Sequence, residues 1–234
     1  MNISTMAKAY FNKVNFQFLI DLKNNNDRDW FASNKKRYEQ ELQNMIAFAD
    51  LLLGKMKEHD NIETETGKKS LHRIYRDTRF SKDKTPYKTN LSGSFKRATK
   101  LLRGGYYFHI EPGNVFVGGG FWGPEPADLK RVRVDIAADD TEMRAIINSP
   151  SFKKYFGELK GEQLKTAPKG FDKEHPAVDL LRYKQFLLGH HFTDVEAMQP
   201  DFADKVNEVF KAMRPFFNYM SEVLTTDVNG ELVV

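Results

Sequence analysis

The sequence predicts an α+β fold: an antiparallel sheet packed by long N-terminal and C-terminal helices, in one domain spanning residues 1–234. Three observations carry this. Tyr38, Leu42, Met45, Ala49, Leu52 and Met56 recur at helical spacing, so one face of a long helix is apolar throughout. Phe202, Val206, Val209, Met213, Phe216, Met220 and Val223 repeat the pattern near the C-terminus. Between them, GYYFHIEPGNVFVGGGFW alternates with the period of a strand on either side of the turn signal Pro112-Gly113. A chain of 234 residues buries a substantial core.

Taken in order, Phe16, Leu19, Ile20 and Lys23 place a helix over 15–23, with Asn15 as its cap. Asn24-Asn25-Asn26-Asp27 is turn chemistry that caps a short helix through Asp29, Trp30 and Phe31. Asn34 then caps the long helix, which reaches about Glu58. Residues 59–69 are polar and contain Gly67, as a loop does. The period changes after that: His72–Asp77 reads as a strand, Ser81–Pro86 as an exposed loop, and Thr89 onward as a strand with one buried face.

In the hairpin, Tyr106, Phe108, Ile110, Val115 and Val117 share the core face, and Tyr107, His109, Glu111, Phe116 and Gly118 share the other. Gly118-Gly119-Gly120 leave room for a backbone or a ligand to approach closely. Helices follow at Ala127–Ala138 and Thr141–Asn148, and Pro150 stops the second. Ser151–Tyr155 adds a turn, Leu164–Ala167 a short strand, and Ala177 to about Lys184 a helix. Phe186–Phe192 is a late strand. The last helix runs from Phe202 to Leu224, with Pro215 expected to kink or split it.

Composition excludes several chemistries. There is no cysteine, so disulfides, thiol nucleophiles and cysteine-ligated metals are out. The N-terminal residues lack a charged leader with a long apolar run, and no later segment has the apolar length of a membrane span. The expectation is a soluble, cytoplasmic protein without a membrane partner. No Rossmann glycine pattern, phosphate loop or Ser–His–Asp order is present, so no cofactor is implied. Composition sets no oligomeric state.

Charge is the strongest functional signal. The stretch Lys68–Arg103 holds twelve lysines and arginines against Asp77 and Asp83, while the whole chain is only +4. Concentrated charge of one sign draws anions. On a strand, Arg73, Tyr75, Asp77 and Arg79 share one face, and His72, Ile74 and Arg76 the other. Guanidinium forks suit phosphate oxygens. Lys84 and Lys88 add point charges and Tyr87 a ring or hydroxyl. The plainer reading is that the two aspartates and the acidic remainder of the chain pair with these cations internally.

His109 with Glu111, near Tyr107, makes a candidate acid–base pair, set against a histidine simply packed at a sheet–helix contact. Asp77 is a further acid–base candidate. Trp122 beside the glycines either stacks on a ring or covers the sheet. Arg182 and Lys184 end a helix, where cations favour its dipole, and are supporting candidates for an anion site. His175 with Asp172, Glu174 and Asp179 matches no metal-ligand spacing, and capping explains the acids more simply. His190-His191 alternate across a strand, so no metal site is expected.

Four stretches taken together, LKNNNDRDWFASNKKRY, RIYRDTRFSKDKTPYKTN, GYYFHIEPGNVFVGGGFW and LKTAPKGFDKEHPAVDLLRYKQF, resemble the family labelled domain-of-unknown-function family 2461. The resemblance covers about Phe16 to Leu224 and implies one shared architecture, soluble and intracellular. It carries over no catalytic residue. The residues themselves lead to an anion-binding cleft built from Arg73, Arg76, Arg79, Lys84, Tyr87 and Lys88, for a phosphorylated small molecule or a nucleic-acid backbone. The alternatives are a hydrolase in which Asp77, His109 or Glu111 moves a proton on an anionic, phosphorylated substrate, and a non-catalytic interaction module.

Overall fold

The computed structural model describes residues 10–98, 100–227 and 229–233. Helices α1 (Lys13–Asn24), α2 (Arg28–Ser33), α3 (Lys35–Lys57) and α4 (Gly67–Ser70) precede strands β1 (Leu91–Lys96), β2 (Gly105–Ile110) and β3 (Val115–Phe121). Helices α5 (Pro126–Ala138), α6 (Thr141–Asn148), α7 (Pro150–Phe156) and α8 (Val178–Leu181) follow. Strand β4 (Phe186–Phe192), helix α9 (Asp194–Ala197) and helix α10 (Phe202–Thr225) complete the chain. The strands form one antiparallel sheet in the order β1-β2-β3-β4, and the fold class is α+β.

Helix starts follow capping chemistry, with two shifts from expectation. Asn12, three residues before Asn15, caps α1 by accepting from Val14 N and Asn15 N, and Asn15 Oδ1 answers by accepting from Asn12 N at 2.6 Å. Asn15 lies inside the first turn, buried, with its amide on Glu41. Asn34 stands at the N-cap of α3, but its side chain donates to Trp30 O at 2.9 Å instead of capping. Asp27 caps α2 as expected.

Backbone contacts divide the chain into two units. The first comprises residues 1–95, 107–117 and 191–208. Its core is aromatic: Phe48 stacks on Phe202 at 5.6 Å and meets Phe11 and Phe108 at 5.0 and 5.7 Å. Removing one such ring costs about 3–5 kcal/mol. Gly67 fits because a Cβ there would stand 2.4 Å from Asp50 N, so α4 lies directly against the α3 backbone. The expected loop over 59–69 therefore ends in a short helix, capped by Thr66.

The second unit comprises residues 96–106, 118–190 and 209–234. Tyr106 packs against Phe210 and Phe217 at 4.9 and 5.1 Å, and Phe121 against Phe216 and Phe217. Helix α10 is continuous through Pro215, so the expected split does not occur. The chain over 177–184 leaves helix after Leu181, because Lys184 N turns to donate to Glu162 O.

Two expected strands are absent. Residues 72–77 make one single bridge, Tyr75 with Tyr87, and Leu71 just before them makes another with Gly93, in place of a ladder. Pro86 lends a carbonyl to Arg76 N but has no N–H to return. Likewise 164–167 pairs only through Leu164 N to Arg182 O, beside a single Gln163–Tyr183 bridge, and Pro168 follows.

Candidate functional site

The basic stretch divides by environment. Arg97 is 1% exposed and donates to Arg103 O, Ser221 Oγ and Asn218 Oδ1. Arg103 pairs with Asp128, Lys69 with Glu65, and Arg79 with Asp77. The last three charges are neutralised by acids, and the Arg97 guanidinium is engaged by neutral acceptors. Asp77 is fully exposed, and its carboxyl is lowered by the Arg79 hydrogen bonds, so it is an ordinary surface carboxylate.

Arg76, Lys84 and Tyr87 line one open cleft of about 690 Å³, together with Asn26, Arg28 and Tyr75. Arg73, Arg79 and Lys88 do not line it. The cleft forms because Asn26, in the turn between α1 and α2, clasps the Tyr87 backbone: its amide donates to Tyr87 O at 2.9 Å and accepts from Tyr87 N at 3.1 Å. Phe31 stacks on Tyr87 with ring centres 4.0 Å apart, fixing that wall. Tyr75 leans on both rings, yet is 57% exposed.

Arg76 is held from one side. Its Nη1 donates to Asp83 Oδ2 at 2.5 Å, to Thr85 O and to Thr85 Oγ1. Asp83 is lowered to about 2, first by the Thr85 amide and then by Arg76. Nε and Nη2 of Arg76 have no partner among the described residues, and neither does the Arg28 side chain. Lys84 Nζ donates to Thr78 O at 2.8 Å. Sequence reasoning missed Arg28; its signal was the Asp27 cap, which sets the next residue at the first helical position.

The polar face of β2 holds a second arrangement, with the parity expected of the hairpin. His109 Nε2 lies 3.2 Å from Glu111 Oε2, and His109 Nδ1 lies 3.0 Å from Tyr107 Oη. Glu111 also accepts from Thr89 Oγ1 at 2.7 Å and from Asn114. His72 stands beyond Tyr107, its Nδ1 3.4 Å from Ser92 Oγ and its Nε2 2.7 Å from Ser94 Oγ. Phe116 stacks on His109 at 4.7 Å and touches His191 at 5.4 Å.

Burial pushes His109 below its usual range, against the Glu111 hydrogen bond. Burial also opposes the Glu111 charge, but its hydrogen bonds from Thr89, His109 and Asn114 prevail and hold the carboxyl down. Lys88 is lowered by burial and then by the charge of Arg73; His72 is lowered first by burial and then by Lys88, which also adds to the lowering of His109. Neither Arg73 nor Lys88 has a side-chain hydrogen bond or ion pair among the described residues.

These shifts predict acid lability. Below 6.5 the unfolded histidine takes a proton that folded His109 resists, so stability falls with pH until the folded pKa is reached. Glu111, lowered from 4.5, extends the loss at more acid pH. Urea midpoints should drop between pH 7 and 5, and His109→Gln should flatten that slope. An unchanged slope in His109→Gln would show that His109 charges freely in the fold.

The remaining candidates lie elsewhere. Trp122 is 79% exposed and does not cover the sheet. Arg182 Nε donates to Leu164 O and Lys184 pairs with Glu162, so both serve the local chain. Asp172 and His175 accept from nearby backbone amides, and Asp179 pairs with Arg144. The glycines of β3 receive backbone: Gly118 faces Leu188 O and Gly120 faces Phe186 O. No helix among the described residues is long and apolar enough to cross a membrane.

The chain belongs to the conserved hypothetical protein family DUF2461, whose model matches residues 15–219, in agreement with the resemblance carried by its motifs. No curated protein and no solved structure matches the chain.

Proposed function

We propose that this DUF2461 protein is an anion-binding protein whose ligand carries a phosphate, on a small molecule or in a nucleic-acid backbone, held in the cleft of Arg28, Arg76 and Lys84. The observation that carries the reading is the state of Arg76. Asp83 and Thr85 orient its guanidinium through Nη1 alone, leaving the Nε–Nη2 edge for two parallel bonds to an oxyanion. A fork fixed before binding loses little freedom on binding. The volume of about 690 Å³ suits a small ligand, and Tyr75 offers a ring for a planar group. A cytoplasmic location fits the absence of cysteine.

Thermal shift with inorganic phosphate, a nucleotide and a short oligonucleotide, at low and moderate salt, tests this. A ligand of the native state raises the melting temperature. Arg28→Ala breaks no bond among the described residues, so it should leave the apo protein intact while weakening phosphate affinity about tenfold. A shift that survives salt marks a small-molecule cleft, and one confined to the oligonucleotide and lost in salt marks a backbone surface. No shift with any anion at low salt would sink the proposal.

A further inference from the structure

We propose a second site, separate from the cleft: Tyr107, His109 and Glu111 form a general-base relay that hydrolyses a phosphate ester, with Lys88 and Arg73 attracting the substrate's charge. Hydrogen bonding fixes the direction of the relay. An ionised Glu111 only accepts, so His109 Nε2 carries the hydrogen of the 3.2 Å contact. His109 Nδ1 is then the acceptor, and Tyr107 Oη donates to it across 3.0 Å. A hydroxyl, a neutral imidazole and an orienting carboxylate in line are the parts of a base-activated hydrolytic site. Burial raises the Tyr107 phenol above its usual range, so Oη enters the relay as a hydroxyl, and a lone pair on it remains for water.

The substrate class follows from the neighbours. Thr89, next to Lys88, donates to Glu111 at 2.7 Å, and the His72 ring, next to Arg73, lies 5.9 Å from that of Tyr107, so both cations flank the relay. Neither makes a side-chain ion pair among the described residues, and an anion between them would relieve their repulsion. As a water oxygen bonds to phosphorus, its proton passes to Tyr107 Oη and the Tyr107 proton to His109 Nδ1. The imidazolium so formed lies against the Glu111 carboxylate. When the bond from phosphorus to the leaving oxygen breaks, that oxygen takes a proton back by the same route. Ester and water give alcohol and phosphate, with the enzyme unchanged. Tyr107 is the catalytic residue because it touches the water; His109 and Glu111 act through it.

Hydrolysis of p-nitrophenyl phosphate and bis(p-nitrophenyl) phosphate, followed from pH 4.5 to 8.5, tests the site. Wild type should turn over at least one ester, with an acid limb set by His109, whose pKa lies below 6.5. The charges facing His109 are Glu111 and Lys88, with Tyr107 alongside and His191 behind Phe116. Tyr107→Phe keeps the ring and should lose about 100-fold in kcat or more. His109→Gln should abolish the acid limb, which a merely structural role would not do, and Lys88→Met should raise KM with little change in kcat. No turnover of either ester by wild type, or full turnover by folded Tyr107→Phe, overturns the proposal. Neither result bears on phosphate binding in the cleft, which Arg28→Ala reports.

Discussion

Arg97→Met is expected to destabilise the protein by about 2–4 kcal/mol. Methionine fills most of the space, so the loss is one of hydrogen bonds more than of volume. Arg97 Nη1 serves Arg103 O at 3.1 Å and Ser221 Oγ at 3.3 Å, and Nη2 serves Asn218 Oδ1 at 2.6 Å. The guanidinium also lies over the Phe217 ring at 5.7 Å. Asn218 Oδ1 loses this donor, and the Arg103 carbonyl keeps only a 3.4 Å contact with Ser221. A buried acceptor without a donor costs about 1–3 kcal/mol. The melting temperature should fall by roughly 5–15 °C. Arg97→Lys keeps the charge without the fork and should fall between. A methionine variant as stable as wild type would show that the cost of burying the charge cancels its hydrogen bonds.

Arg97 also shows what the sequence could convey about the site. A count of cations reports a field, and it cannot say which of them the fold will neutralise. Twelve basic residues from Lys68 to Arg103 look alike in one dimension. In three, Arg97 supports α10, Arg103 holds Asp128 on α5, and Arg79 is closed by Asp77 two residues away. Only the last pairing was visible locally. The cleft needed a contact between Asn26 and Tyr87, 61 residues apart, and no periodicity encodes that.

The hairpin was legible because parity is a local property. Once Pro112-Gly113 marks a turn, alternation alone sends Tyr106, Phe108 and Ile110 into the core and Tyr107, His109 and Glu111 to the opposite face. Residues 72–77 and 164–167 also read as strands but lacked a long partner, and a strand is defined by its partner. Asn15 misled for a related reason: the reciprocal cap with Asn12 makes either asparagine a plausible start.

Gly120→Ala should be about as costly, roughly 3–5 kcal/mol, for two separable reasons. Gly120 has φ +131°, where an L side chain is strained. A Cβ at that position would also stand 2.2 Å from Phe186 O and 3.0 Å from Leu187 Cα. These are backbone atoms of β4 and cannot swing aside, so relief requires β3 and β4 to separate. Gly118→Ala is the natural comparison. Its φ is not positive and its nearest neighbour is Leu188 O at 3.0 Å, so a shift of a few tenths of an ångström accommodates the methyl. Chemical denaturation of the two variants side by side should show a large loss for Gly120→Ala and a small one for Gly118→Ala. Equal losses would mean that close approach of β4, rather than the unusual φ, dominates along this strand. A stable Gly120→Ala would mean that the chain reaches an ordinary β conformation there, and the close approach of Phe186 would then have no structural consequence.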